Sequence, residues 1–323
     1  MKNIAKFLCL VLTLSCNTAK KATTENITPV EYITIDGQTF EAFAGPNLIR
    51  ISPNFYADQT EATNTAYKEF MHWTKVTYGM ESQEYVDILP DVNVWNFQNH
   101  TESLVENYFW EAEFDDYPVV GITLEQAKMY SNWRTERVAE MLLIEKGILN
   151  PNMNANKDNC FTIERFNNGI YPLRKELKTK FIYPRFTVPT MKEWNALSGI
   201  SSEFKFGIDS LDAHNQRFLK RDNALFHTLE DLDNDVDKKM FKSRHQNSIK
   251  SCPIRPAQYS SENVFGLYHT IGNVAEMVDN VGIAKGGDWN HSLEHAILDK
   301  NIKQNIPNCW TGFRCVARLV VMN

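Results

Sequence analysis

The chain has 323 residues, with 34 Lys+Arg against 40 Asp+Glu, a formal net charge of -6, and 43% hydrophobic and 12% aromatic residues. That aromatic content with a modest charge imbalance excludes disorder over most of the length. The acidic excess offers no overall field that attracts phosphates, so no nucleic-acid partner is expected, and the length suffices for one large domain or two small ones.

Residues 1–15 read as an export signal: Lys2 and Lys6, an apolar run from Phe7 to Leu14, then Ser15 before Cys16. The run is too short to span a bilayer, which takes about 20 apolar residues. Ser15-Cys16 resembles a bacterial lipoprotein processing site, which makes Cys16 the expected lipidation site. The alternative is a plain secretory signal. No Asp follows Cys16 and no acidic run follows it, so the expected location is the periplasmic face of the outer membrane, held through the lipid anchor. Residues 16–30 are polar and Thr-rich and form a tether. Residues 31–323 show no further linker and no internal repeat, and are expected to form one domain.

In chain order, β-type runs are predicted at Tyr32 to Ile35 and Leu48 to Ser52. A helix follows from near Asn64, burying Tyr67, Phe70 and Met71 at i, i+3, i+4 spacing. A third strand is expected at Val119 to Ile122. Thr123-Leu124-Glu125-Gln126 is a capping box, in which the Thr oxygen takes an orphan N–H while Gln126 reaches back. The helix it opens runs through Ala127, Tyr130, Trp133, Val138, Met141 and Leu142 and stops at Gly147. Thr190-Met191-Lys192-Glu193 sets a second box, with Trp194 facing inward and Gly199 as the stop. Cys315 to Met322 reads as a final strand that closes a sheet against an N-terminal one. Asn150 to Pro184 and Phe204 to Tyr259 show weak periodicity and are expected to be loops or insertions. The mixture predicts an α+β class with much irregular structure, and loops of that length point to an interaction surface. Past the signal, Cys160, Cys252, Cys309 and Cys315 are an even number, which in an exported protein favours at least one disulfide. Their pairing is open, and four free thiols are the alternative.

Six segments in order resemble the formylglycine-generating enzyme family, also called the sulfatase-modifying-factor domain. Gln59-Thr60-Glu61-Ala62-Thr63-Asn64 resembles its "ETEVTN" element, and Tyr117 to Thr123 with Ala127, Tyr130 and Trp133 its "PVVGVSW…A…YC.W" segment. Val188 to Trp194 is similar to "LPTEAEW", and Gly266 to Met277 to "GLYDMAGNVWEW". Lys285-Gly286-Gly287-Asp288-Trp289 resembles "RGGSW", and Gly312 to Val316 "GFRCV". The resemblance implies a C-type-lectin-like fold. Apart from it, Gly286-Gly287 permits positive φ and close backbone approach before Trp289, and Gly272-Asn273 offers a tight turn.

For enzyme members, the resemblance implies two cysteines after the double-glycine turn that hold copper, activate oxygen and oxidise a substrate cysteine to formylglycine. Thiolates suit that task because they are soft ligands for Cu(I). Read without gaps, the two cysteine positions fall on His291 and Ala296, and the family's serine position on Asp288. No thiol stands there, so no catalytic residue is assigned and no cofactor is expected. In enzyme members the last cysteine pairs with one on the "YC.W" helix. Ser131 occupies that place here, so Cys315 is expected to pair otherwise or stay reduced.

Two metal alternatives stay open. Asp288, His291 and His295 make a two-histidine, one-carboxylate set suited to non-haem iron or zinc, against the plain reading of a polar surface loop. Calcium is the other. The resemblance implies a site at Gly272, Val274 and Glu276, weakened for a hard cation by His269 where the family has Asn or Asp. The acidic run Glu230 to Asp237 alternates like an EF-hand, but Val236 holds the required Gly position and Lys242 the final Glu, so it reads as solvated loop.

Pro90 to Trp95, Tyr108-Phe109, Asp115 to Gly121 and Trp133-Arg134-Thr135-Glu136-Arg137 resemble the gliding-motility lipoproteins K and J of Bacteroidetes. Those join a lipoprotein signal to a domain of this type without the cysteine pair. The resemblance implies protein partners in the cell envelope, in type IX secretion or gliding motility, with oligomer formation open. The expected function is a non-catalytic, outer-membrane-anchored scaffold or interaction lipoprotein. The alternative is an oxidoreductase of the formylglycine type, or a metal-dependent enzyme using Asp288, His291 and His295.

Overall fold

The computed structural model describes residues 32–35, 37–41, 47–96, 102–177, 180–199, 252–259, 262–291 and 301–322. The signal, Cys16, the 230–237 run, Lys242, His295 and Ala296 lie outside the described residues. Among those described, no helix is long and apolar enough to cross a membrane.

The strands, in chain order, are β1 (Tyr32–Ile35), β2 (Gln38–Glu41), β3 (Leu48–Ser52), β4 (Phe55–Asp58), β5 (Phe181–Thr187), β6 (Ala275–Met277), β7 (Gly282–Lys285), β8 (Ile302–Gln304), β9 (Thr311–Gly312) and β10 (Val316–Met322). β1 and β2 pair antiparallel. An antiparallel sheet runs β3-β4-β10-β5, so the last strand does close onto an N-terminal one, with Val316 opposite Ala57. A second sheet runs β8-β7-β6-β9, with β6 and β9 parallel. The helices are α1 (Asn64–Tyr78), α2 (Gln83–Val86), α3 (Glu102–Asn107), α4 (Leu124–Glu145), α5 (Ile163–Asn167) and α6 (Met191–Leu197). This is an α+β arrangement with long irregular connections.

The helix starts follow local chemistry. Both capping boxes form: the Thr123 and Thr190 hydroxyls accept from the N–H groups of Gln126 and Glu193, whose side chains bond back to the cap N–H. The amide nitrogen of Gln126 also donates to the carbonyls of Asp87 and Leu89, so the cap of α4 fastens the chain after α2. α4 ends at Glu145, and Gly147 follows with φ 69°. α1 and α4 meet through rings: Tyr67 stacks on Tyr130 at 5.9 Å, and Phe70 packs on Tyr130 and Trp133. Phe313 closes the cluster edge-on against Tyr130.

Three expectations are corrected. Val119 to Ile122 is buried but is no strand. Pro118 brings no N–H to a ladder, and Gly121 turns left-handed at φ 74°, where a Cβ would collide with the Asp91 carbonyl. Its backbone groups are satisfied singly instead: Val119 N–H donates to Ala62, Gly121 N–H to Asn308, and the Gly121 carbonyl accepts from Asp91. Second, the stretch Asn150 to Pro184 holds α5 and the start of β5. Pro184 argues against a central strand, but β5 is an edge strand, where a missing donor is tolerated. Third, no disulfide forms among the described cysteines: Cys160, Cys252, Cys309 and Cys315 are free and buried, acting as small apolar core residues.

The Trp133–Arg137 motif joins parts of the fold. Arg134 pairs with Asp58 of β4 at 2.6 Å. Glu136 accepts from the N–H of Ile163 at 2.6 Å, and Arg137 lies over the Trp73 ring while donating to the Phe161 carbonyl. These residues attach the α5 region to α4.

One buried ion pair links most of the motifs. Arg314 and Glu276 are both shielded from solvent, and the guanidinium meets the carboxylate with Nε at 2.8 Å and Nη2 at 2.6 Å from Oε1. Nη1 donates to the carbonyls of Asp58 and Gln59, and Nη2 to that of Tyr268. Trp194 of α6 donates its indole N–H to Glu276 Oε2 at 2.7 Å. Removing one member leaves a charge buried without its counter-charge, a loss of about 3–5 kcal/mol. Glu276→Gln is therefore expected to lower stability by about that amount, read as a lower urea midpoint with an unchanged slope.

Candidate functional site

The double-glycine turn builds the position where the resemblance expects chemistry. Gly286 and Gly287 have φ of 94° and 74°. A Cβ on Gly286 would sit 3.0 Å from both the Thr270 carbonyl and the Trp194 ring, so the turn needs glycine for space as well as for φ. The Gly286 carbonyl accepts from Gly272 N–H at 2.8 Å, and Trp289 N–H donates to the Asn273 carbonyl. Two sequence-distant turns are thereby zipped together.

Asp288 is fully buried, and one of its oxygens accepts from the backbone N–H of Asn290 at 2.8 Å. Both oxygens lie 2.8 Å from Nδ1 of His291, whose side chain is 31% exposed. That hydrogen bond raises the His291 pKa above its ordinary value, against a smaller opposing effect of burial. Trp310 packs edge-on to the imidazole at 6.0 Å. Below lies an aromatic floor: Trp289 donates its indole N–H to the Cys309 carbonyl and stacks on Trp95, which meets Tyr108 at 4.8 Å. The structure thus brings Asp288 and His291 together, while His295 lies outside the described residues. Among those described, no three His, Cys, Asp or Glu side chains converge as a metal-ligand group. The pair can hold a proton on an oriented imidazole.

The donor set does not fit the copper chemistry of the enzymes. An imidazole bound to a carboxylate stands at one thiolate position and the sequence places Ala296 at the other. The described cysteines do not substitute. Burial pushes the Cys252 and Cys315 thiols up to about 12 and Cys309 higher still, which suppresses the thiolate a soft metal needs. Cys315 instead lies 3.4 Å from the Ser131 hydroxyl.

The calcium residues do not fit calcium either. Gly272, Val274 and Glu276 lie together in one turn and strand, but both carboxylate oxygens of Glu276 are taken by Arg314 and Trp194. His269, at φ 48°, is buried neutral: desolvation drives its pKa to about 3, and its Nε2 donates to the Pro256 carbonyl at 3.3 Å.

Beside this turn the structure adds residues to which the sequence reading gave no role of their own. Glu61 is buried, and burial holds its carboxyl pKa well above the usual range, against an opposing effect of Arg314. One of its oxygens accepts from Asn273 Nδ2, and the other has no hydrogen-bond partner. Asn273, at φ 59°, also accepts from Arg255 N–H and donates to the Arg255 carbonyl, seating the segment 252–259. The signals in the sequence were the Gly272-Asn273 turn and the place of Glu61 and Asn273 inside the family-like segments.

Two outcomes follow. In Asp288→Asn the imidazole loses its counter-charge, so the His291 pKa is expected to fall toward the ordinary value of about 6.5, read from its ring-proton NMR titration. The sign for stability is fixed by the raised folded value. The contribution is complete below about pH 6.5 and fades as pH climbs through the folded pKa, and this pH dependence disappears in the variant. Second, Ser131→Cys places a new sulfur close enough to bond to that of Cys315. On oxidation, closure of this disulfide is expected as the loss of two titratable thiols under denaturing conditions and a gain of about 3–4 kcal/mol.

The sequence matches the sulfatase-modifying factor enzyme 1-like domain over residues 19–319. No curated protein matches it significantly. Among solved structures, Treponema denticola variable protein 1 aligns at 14% identity over 89% of this chain and 98% of its own, with a TM-score of 0.40. CarF aligns at 13% identity over 90% and 98%, with a TM-score of 0.38. PvdO from Pseudomonas aeruginosa aligns at 13% identity over 88% and 85%, with a TM-score of 0.40. Because the family match covers nearly the whole chain, this protein belongs to the sulfatase-modifying factor enzyme 1-like, or formylglycine-generating enzyme-like, domain family.

Proposed function

We propose that the chain is a non-catalytic lipoprotein, anchored through Cys16 at the periplasmic face of the outer membrane, which serves as a scaffold or interaction component for envelope proteins. The observation that carries this reading is the Asp288–His291 pair at the position of the family's redox thiols. Oxidising a cysteine with oxygen through copper requires a site that cycles the metal, and soft sulfur ligands are what make Cu(I) accessible. An imidazole hydrogen-bonded to a buried carboxylate offers neither. Support for anchoring comes from the signal pattern before Cys16, and support for type IX secretion or gliding motility from the segments around Pro90, Asp115 and Trp133 that resemble lipoproteins K and J.

A second reading keeps an enzyme: Asp288, His291 and His295 holding iron or zinc. The 2.8 Å contact that orients His291 favours it over an unoriented loop histidine. Metal analysis separates the two, because stoichiometric iron or zinc that disappears in His291→Ala supports the enzyme and its absence supports the scaffold.

Purified protein given copper, oxygen, a reductant and a cysteine-bearing sulfatase-type peptide is expected to yield no aldehyde, scored by mass spectrometry after hydrazide capture. Turnover to formylglycine would sink the non-catalytic reading. Deleting the gene addresses the pathway separately: intact secretion and gliding remove that assignment and leave the scaffold class standing.

A further inference from the structure

We infer that the open strip of sheet face shared by β5 and β10 is a binding site for a phosphate-type oxyanion, with Arg185 and Arg318 as its two cationic arms. The inference is independent of the scaffold reading, because it concerns a small anion on the first sheet and not the turn at Gly286.

The strand register sets the geometry. Arg318 of β10 stands directly opposite Arg185 of β5, and Val316 opposite Thr187, so these side chains share one face. At one end of that face Val316 packs with Trp194 and Leu197 of α6. At the other end Phe181, Tyr183 and Met322 pack with Phe161 and Ile148. Between the two covered ends, Arg185, Thr187 and Arg318 are exposed.

The charges on this strip do not balance. Arg185 and Arg318 are the charged residues of the two strands, and like charges directly opposite in an antiparallel pair cost stability. Arg318 has a counter-charge in Glu193 at 2.8 Å and lies over the Phe55 ring. The other oxygen of that carboxylate is held by the N–H and hydroxyl of Thr190 in the α6 cap. Among the described residues, Arg185 makes no hydrogen bond or ion pair. One carboxylate thus serves two guanidiniums. A phosphate group supplies what is missing. It brings negative charge and tetrahedral acceptor oxygens that can meet the Arg185 fork, the remaining N–H groups of Arg318 and the Thr187 hydroxyl together.

The test is thermal unfolding of the full chain in rising inorganic phosphate, with ionic strength held constant by sodium chloride. A second arm uses glycerophosphoglycerol, the soluble headgroup of an anionic phospholipid. A saturable rise in the first arm identifies the free anion as the ligand, and a rise in the second alone identifies a lipid headgroup. Either rise is expected to reach about 3 °C at ten times the apparent Kd and to vanish in Arg185→Gln. Without ligand, that variant is expected to unfold no lower than the unmodified chain, because the opposed charges are relieved. No saturable rise in either arm overturns the inference. So does a rise that survives in Arg185→Gln, which is what a general salt effect gives. A ligand-free Arg185→Gln that unfolds lower than the unmodified chain also defeats it, since Arg185 would then already have an internal partner.

Discussion

A guanidinium removed from water must find charge and acceptors at once, and Arg314 finds them only where four segments distant in sequence converge. Glu276 supplies the charge, the carbonyls of Asp58, Gln59 and Tyr268 supply acceptors, and Trp194 completes the carboxylate. Each contact is lost unless the others form, because a half-satisfied buried charge is worse than none. The sheet that carries Glu276 is small, and its β6 and β9 pair over only two registered positions. In a domain with so much irregular backbone, this constraint ties together segments that long ladders would join elsewhere.

The position of the candidate site follows from that constraint. Glu276 lies on β6, opposite Lys285 of β7, which runs directly into Gly286-Gly287. The turn is pressed against Thr270 and Trp194, so its path is fixed by the same indole that donates to Glu276. Asp288 and His291 are thus presented from a rigid base, with the Trp289–Trp95 stack beneath. Nothing in this support depends on which side chains stand at positions 288 and 291, except that a buried carboxylate must be paired, which His291 and the Asn290 N–H accomplish.

Much of this was legible in the residues. The capping boxes at Thr123 and Thr190 are local chemistry, written within four residues, and they form as read. The i, i+3, i+4 pattern of Tyr67, Phe70 and Met71 needs no distant partner to be recognised. Strand reading failed where tertiary context decided. The stretch up to Pro184 read as loop for want of periodicity, yet it enters a strand whose proline is tolerated at an edge, and the apolar run at Val119 resembled a strand although its hydrogen bonds go to scattered loops. The site was half legible. Asp288 and His291 could be named from their offset to the double glycine, but the burial of Glu61 and the αL geometry of Asn273 depend on segments more than two hundred residues apart. No single-sequence pattern encodes such a meeting.

The turn that carries Asp288 and His291 is thus held by residues other than those two, namely Thr270, Trp194 and the Gly272 turn. Inside the core, Ser131 stands beside Cys315: a hydroxyl 3.4 Å from the thiol keeps the local packing of a disulfide position without the covalent link. Phe313, Tyr130 and Tyr67 are buried nearby, where apolar transfer and dispersion stabilise the core without a covalent link. Among the described residues, the Arg314–Glu276 network and the Tyr67–Tyr130–Phe313 cluster hold distant segments together from the interior, while His291 stands partly exposed over the buried Asp288.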